Sequence, residues 1–216
     1  MGYYKAIFYY FFLTVSFRKV TPLLYLLKYP KISHSIFEVQ LLRFLPLMLL
    51  FALSLLADTM TPKQLHILQT VRDIAKSIPD KNGITYENTL SAICLTESSA
   101  GKNTIGDFKY KKSFTKASLG PMQIQVATAR HVSKNVKKLR WLNTLSDIQL
   151  AGRLLGDIKL SAQVATHYLV LLQNKRLDHF YAISGYNGGR TNRPYYNRVM
   201  KNMELVNHLL SSGKLS

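Results

Sequence analysis

Cysteine is nearly absent: the chain of 216 residues has one, Cys94. That excludes an intramolecular disulfide framework and leaves the redox compartment undecided. The six histidines, at 34, 66, 131, 167, 179 and 208, form no paired spacing with cysteine, aspartate or glutamate that suits a metal, so no metal and no other cofactor is expected. No glycine-rich phosphate loop stands at a strand-to-helix junction, which argues against nucleotide chemistry; Gly188-Gly189 reads as a helix-ending turn. Acidic residues are scarce too, 11 against 29 Lys and Arg, for a formal net charge of +18. Such a chain favours an anionic partner. Nucleic acid is not the expected one, because Phe108, Tyr110 and Phe114 interleave with lysines without a recognisable nucleic-acid-binding motif.

The charge and hydropathy are unevenly spread. Residues 1–57 hold six Lys or Arg, one acid and long aromatic or leucine-rich runs, whereas the part from Asp58 onward is an ordinary mixture with 23 basic against 10 acidic residues, or +13. Two regions follow: 1–57, a hydrophobic signal or anchor, and 58–216, a folded domain. Phe44 to Ala57 is an apolar run of 14 residues behind Arg43. It is shorter than the roughly 17 to 25 residues that span a bilayer and close to a signal-peptide core. Export to the periplasm or cell envelope is therefore expected, by cleavage after Ala57 or with the segment kept as an inner-membrane anchor. Tyr3 to Phe17 is a second apolar run, carrying Lys5, that an ordinary signal lacks. Either it associates with the membrane or the natural start lies near Val39.

After residue 58 the apolar period is helical almost throughout. Thr61 and Pro62 open a helix whose stripe is Leu65, Leu68, Val71, Ala75 and Ile78. Further helices are expected over about 86–97, 123–136, one or two short turns from Ser146, then 158–173, 177–186 and 194–210. His167 falls on a buried face, where a satisfied core histidine is the expectation. Strand signals are confined to 101–119, a glycine- and lysine-rich stretch fit for a small hairpin or an irregular flap. The fold class is all-α, α+β at most.

Glu97 is the carboxylate that stands out. Leu90, Ile93, Cys94 and Glu97 share one helical face, so its carboxyl is partly desolvated. Desolvation disfavours the charged form and raises the pKa, as a general acid near neutral pH requires.

Five spaced patterns follow one another along the chain: Glu97-Ser98, Gly120-Pro121-Met122-Gln123, Thr128-Ala129, Tyr186-Asn187 with Gly189, and Tyr195 to Val199. Together they resemble the soluble lytic transglycosylase family, relatives of goose-type lysozyme, over roughly residues 63–205. Gly185 stands where the family has alanine, and the 22 residues between Glu97 and Gly120 exceed the usual length. Ser118 is the one residue of that insertion to which a family role transfers.

The resemblance implies a lysozyme-like helical domain that acts on peptidoglycan glycan strands as a monomer, without nucleic acid. It serves general wall turnover or a cell-envelope machine. The implied reaction cuts the β-1,4 bond between N-acetylmuramic acid and N-acetylglucosamine and leaves 1,6-anhydromuramic acid ends. Glu97 is the implied acid and base. Ser98, Ser118, Gln123 and Asn187 bind substrate through polar groups, Met122 and Tyr186 pack on sugar faces or in the core, and Tyr195 holds the acid. A lysozyme-like hydrolase and a non-catalytic wall-binding or assembly module are the rivals.

Overall fold

The first described helix, α1 (Pro62–Lys76), begins where two side chains close a capping box. Gln64 N–H donates to Thr61 Oγ1 at 3.3 Å, and Thr61 N–H donates to Gln64 Oε1 at 2.9 Å. Pro62 at the first turn costs no hydrogen bond, because that N–H has no helical partner. Leu68, Val71 and Ala75 face inward as the stripe requires, joined by Ile67. The helix stops at Ser77, ahead of Pro79. These coordinates are a computed structural model that describes residues 60–111 and 113–216, of which Met60–Ser216 is one compact unit. The expectations for residues 1–57 lie outside the described residues.

The second helix, α2 (Glu87–Ser98), is buried on all sides from Thr89 to Leu95 rather than along one stripe. Its small residues, Ser91 and Ala92 with Thr89, let neighbours approach from every direction, which makes α2 the axis of the domain. After it comes the flap: β1 (Ile105–Gly106), a single turn α3 (Phe108–Lys111), a 3₁₀ turn at Phe114–Lys116, and β2 (Ser118–Leu119). The strands pair antiparallel, Ile105 opposite Leu119 and Gly106 opposite Ser118. A small hairpin is thus present in 101–119, where the sequence allowed one.

Next is α4 (Val126–Asn135), which starts three residues later than the apolar period suggests. Gln123 has φ of 50°, and Ile124 bridges back to Leu119, so the chain is still turning there. A 3₁₀ segment at Lys137–Thr144 follows, with Leu139 and Leu142 inside. Then α5 (Asp147–Gly156) runs ten residues from a Ser146/Gln149 capping box, longer than the short turns expected. The long α6 (Ile158–Arg176) packs on α1 and on α7 (His179–Tyr186); α8 (Arg193–Ser211) and α1 flank α2. His167 on α6 is half-buried and lines a surface cleft rather than the core. The domain is mostly helical with one two-stranded sheet, an all-α lysozyme-like fold. Among the described residues no helix is long and apolar enough to cross a membrane.

Candidate active site

Glu97 occupies the last turn of α2, where the helix leaves the core. Its carboxyl meets α8: Tyr195 Oη donates to Glu97 Oε1 at 2.5 Å. Tyr195 itself is 1% exposed, so the hydroxyl that makes this bond is fixed by packing rather than by water. Asn192 caps α8 and accepts from the Tyr195 N–H at 3.1 Å, which sets the start of the helix that carries the tyrosine. Asn202 Nδ2, two turns on, donates to Thr96 Oγ1 at 2.9 Å and ties α8 to α2 beside the acid.

Burial pushes the Glu97 carboxyl above its usual pKa, while the Tyr195 hydrogen bond and the Arg198 charge pull it down and the Asp107 charge pushes it up. The net direction is upward, so the proton is held at pH values where a free glutamate has lost it. With Oε1 occupied by Tyr195, Oε2 is the oxygen left to carry that proton. Tyr195 is pushed far above a free phenol by burial and by the neighbouring Glu97, and therefore serves as a donor only.

The Gly-Pro-Met-Gln segment is clamped from two sides. From α2, Ser98 Oγ donates to Pro121 O at 2.6 Å and Cys94 Sγ to the same carbonyl at 3.6 Å. From α7, Tyr186 Oη donates to Met122 O at 3.0 Å. Two consecutive backbone carbonyls are thus fixed by two helices. Gly120 has φ of 73°, and a Cβ there would stand 2.1 Å from Leu154 O, so only glycine lets the segment lie against α5.

The proposed site residues divide accordingly. Ser98 is buried, and its hydroxyl also accepts from Gly101 N–H at 2.7 Å, so its polar capacity is spent inside the protein. The Met122 side chain is wholly in the core, and Tyr186 is buried with its ring tilted 52° against that of Tyr168, 5.6 Å between centroids. Gln123 Nε2 donates to Gly120 O at 2.9 Å and Asn103 O at 3.2 Å, bracing the flap. Asn187 is exposed at the end of α7 and accepts from Asn192 Nδ2 at 3.0 Å. Ser118 Oγ donates to Asp107 Oδ2 at 3.1 Å and receives Gln125 Nε2 at 3.4 Å. Glu97 and Tyr195, then, meet directly; Ser98 and Tyr186 hold the backbone carbonyls of Pro121 and Met122.

Two charged residues join the site, Arg198 from the Tyr195 pattern and Asp107 from the flap. Arg198 lies one helical turn after Tyr195, with its guanidinium 5.6 Å from that ring's centroid, and acts electrostatically on Glu97. Its three-residue spacing from Tyr195 was the available signal. Asp107 sits in the flap at φ of 59° and also acts on Glu97. Nothing in its spacing announced this, because the hairpin folds it back. On the other side of Tyr186, Tyr168 lines a cleft of about 400 Å³ with Thr128 and His131.

No curated protein and no solved structure was found to match the chain. The transglycosylase SLT domain matches residues 75–204, a stretch that runs from the end of α1 into α8 and contains Glu97, the clamped segment and Tyr195. More than half of the chain is covered. On that match, the chain belongs to the transglycosylase SLT domain family, whose general function is transglycosylase-type action on peptidoglycan.

Proposed function

We propose that the protein is a lytic transglycosylase that cuts the β-1,4 bond between N-acetylmuramic acid and N-acetylglucosamine. The observation that carries this reading is one carboxyl, Glu97, with its pKa raised by burial and one oxygen held by Tyr195. Protonated Glu97 gives its proton to the glycosidic oxygen as the bond from C1 to that oxygen breaks, and N-acetylglucosamine leaves as an alcohol. The carboxylate so formed keeps the Tyr195 hydrogen bond and faces a sugar with positive character at C1. It then takes the proton of the muramic acid C6 hydroxyl while that oxygen bonds to C1. The product is the 1,6-anhydro sugar, Glu97 is protonated again, and no water enters.

Asp107 favours a second reading. Glycosidases that hydrolyse use two carboxyl groups, and the Ser118-held carboxylate lies near enough to Glu97 to act on its charge. In a hydrolase Asp107 would direct water to C1. A wall-binding module without turnover is distinguished by Glu97→Gln on purified peptidoglycan. The enzyme reading predicts a loss of about 10²- to 10⁴-fold in turnover with binding retained, the usual worth of a general acid; unchanged biological activity of the variant would defeat it.

Residues 1–57 serve export, as a cleaved signal or as an inner-membrane anchor, and deliver the domain to the periplasm or cell envelope. The apolar run from Phe44 to Ala57 supports this. Fractionation with N-terminal sequencing of the natural protein tests it. A chain starting at Asp58 outside the cytoplasm means cleavage, a membrane-bound chain retaining residues 44–57 means an anchor, and a soluble cytoplasmic chain refutes both.

A further inference from the structure

A cleft of about 600 Å³ opens at the other end of α2 from Glu97. It is lined by residues 77–79 after α1, by 135–139 and 141 at the end of α4 and in the 3₁₀ segment, and by 163 and 167 of α6. The loop after α1 is tied to the start of α2, since Tyr86, the residue before that helix, donates to Asp80 Oδ2 at 2.8 Å. Glu97 stands at the opposite end of these 12 residues. A helix of that length runs about 18 Å. The cleft is therefore distinct from the acid and its clamp, and the chemistry above makes no use of it.

Its walls are amphipathic and of one charge. Lys137 and Lys138 are exposed at the mouth, and no acidic residue is among those that line it. Trp141 contributes an indole that is 42% exposed, with the Arg153 guanidinium 5.7 Å from its ring centroid. Asn135 and Gln163 place carboxamides beside it, and Ile78 and Pro79 give an apolar strip. His167 is held toward its neutral form by burial and by Lys138, so its ring offers hydrogen bonds without adding charge. A ligand that matches must bring negative charge, such as a carboxylate, for the ammonium groups, an aliphatic face for the indole, and amide or hydroxyl groups for the carboxamides.

We propose that this cleft binds a muramyl unit of a peptidoglycan strand, the free carboxylate of its stem peptide on Lys137 and Lys138 and its sugar face on Trp141. The inference rests on the peptidoglycan reading of the active site, and it adds a second hold on the wall, away from the bond being cut. A single indole in a confined cleft does not make the continuous stacking track that single-stranded nucleic acid uses. An enzyme holding one strand while cutting at another place stays on an insoluble substrate between cuts.

Trp141 is the only tryptophan of the chain, so its fluorescence reports this cleft directly. The full-length protein is titrated with N-acetylmuramyl dipeptide, with uncharged tri-N-acetylchitotriose and with a single-stranded oligonucleotide. The expected result is a saturable change with muramyl dipeptide, kept by Glu97→Gln, and weakened at least tenfold by the exposed pair Lys137→Gln/Lys138→Gln. A response that is absent, equal for chitotriose, stronger for the oligonucleotide, or undiminished in the lysine pair overturns the proposal. Cleavage of short soluble glycan strands by the lysine pair is expected to match the unaltered protein. Cleavage that fails in both while the titration succeeds counts against the active-site reading; cleavage that succeeds while the titration fails counts against this cleft alone.

Discussion

Glu97 works twice in the proposed reaction, and its neighbours divide between the two jobs. Burial favours the neutral acid, whereas Tyr195 and Arg198 favour the carboxylate that must form next. Tyr195→Phe keeps the ring and removes the donor to Glu97. A hydrogen bond to a charged group contributes about 1.5–3 kcal/mol, so kcat is expected to fall by roughly one to two powers of ten. The alkaline limb of the rate profile should move to higher pH, because the lost bond favoured the ionised form. A limb that stays in place while kcat falls would mean that Tyr195 only packs. Stability carries the same sign. The raised pKa of Glu97 means that the folded state binds this proton more tightly than the unfolded chain does. Its stabilising contribution is full below the ordinary glutamate pKa and is lost as pH rises through the folded value. Glu97→Gln should accordingly gain in Tm relative to the unaltered protein as pH rises through that window, a trend that paired thermal melts would show or refute.

At the scale of elements, the clamp on residues 120–123 decides whether the acid and its partners share one place. Ser98→Ala removes the hydroxyl that serves both Pro121 O and Gly101 N–H. A buried group left without a partner costs about 1–3 kcal/mol, so urea unfolding should show that loss with KM little changed. A raised KM at unchanged stability would instead make Ser98 a substrate contact. Gly120→Ala meets both the left-handed backbone and Leu154 O, and a loss above about 3 kcal/mol is expected; a near-neutral melt would show that α5 yields. Helix starts were legible because Thr61-Pro62 and Ser146 carry their own signals. The start of α4 was not, because the apolar period continues through Gln123 and Ile124 while their backbone turns. The same limit hid the burial of Ser98 and left Met122 open between sugar face and core: a motif says which residues recur, and only packing says where a side chain goes.

For the whole molecule, the order of the motifs along the chain carried the family, and folding turned that order into one site. Glu97 and Tyr195 are 98 positions apart and share a hydrogen bond because α8 lies along α2. The scarcity of acids had a meaning that composition alone could not give. Most of the positive surface has no acid to neutralise it, and Asp107, one of the few, sits close enough to act on the Glu97 carboxyl. That leaves the choice between ring closure and water as the central question. It is answered by the masses of the muropeptides that the full-length protein releases from purified peptidoglycan. The account predicts 1,6-anhydro ends, lighter by one water than reducing ends, formed by the unaltered enzyme and still formed by Asp107→Asn. Reducing ends as the main product, lost together with Asp107, would contradict it and make the protein a hydrolase.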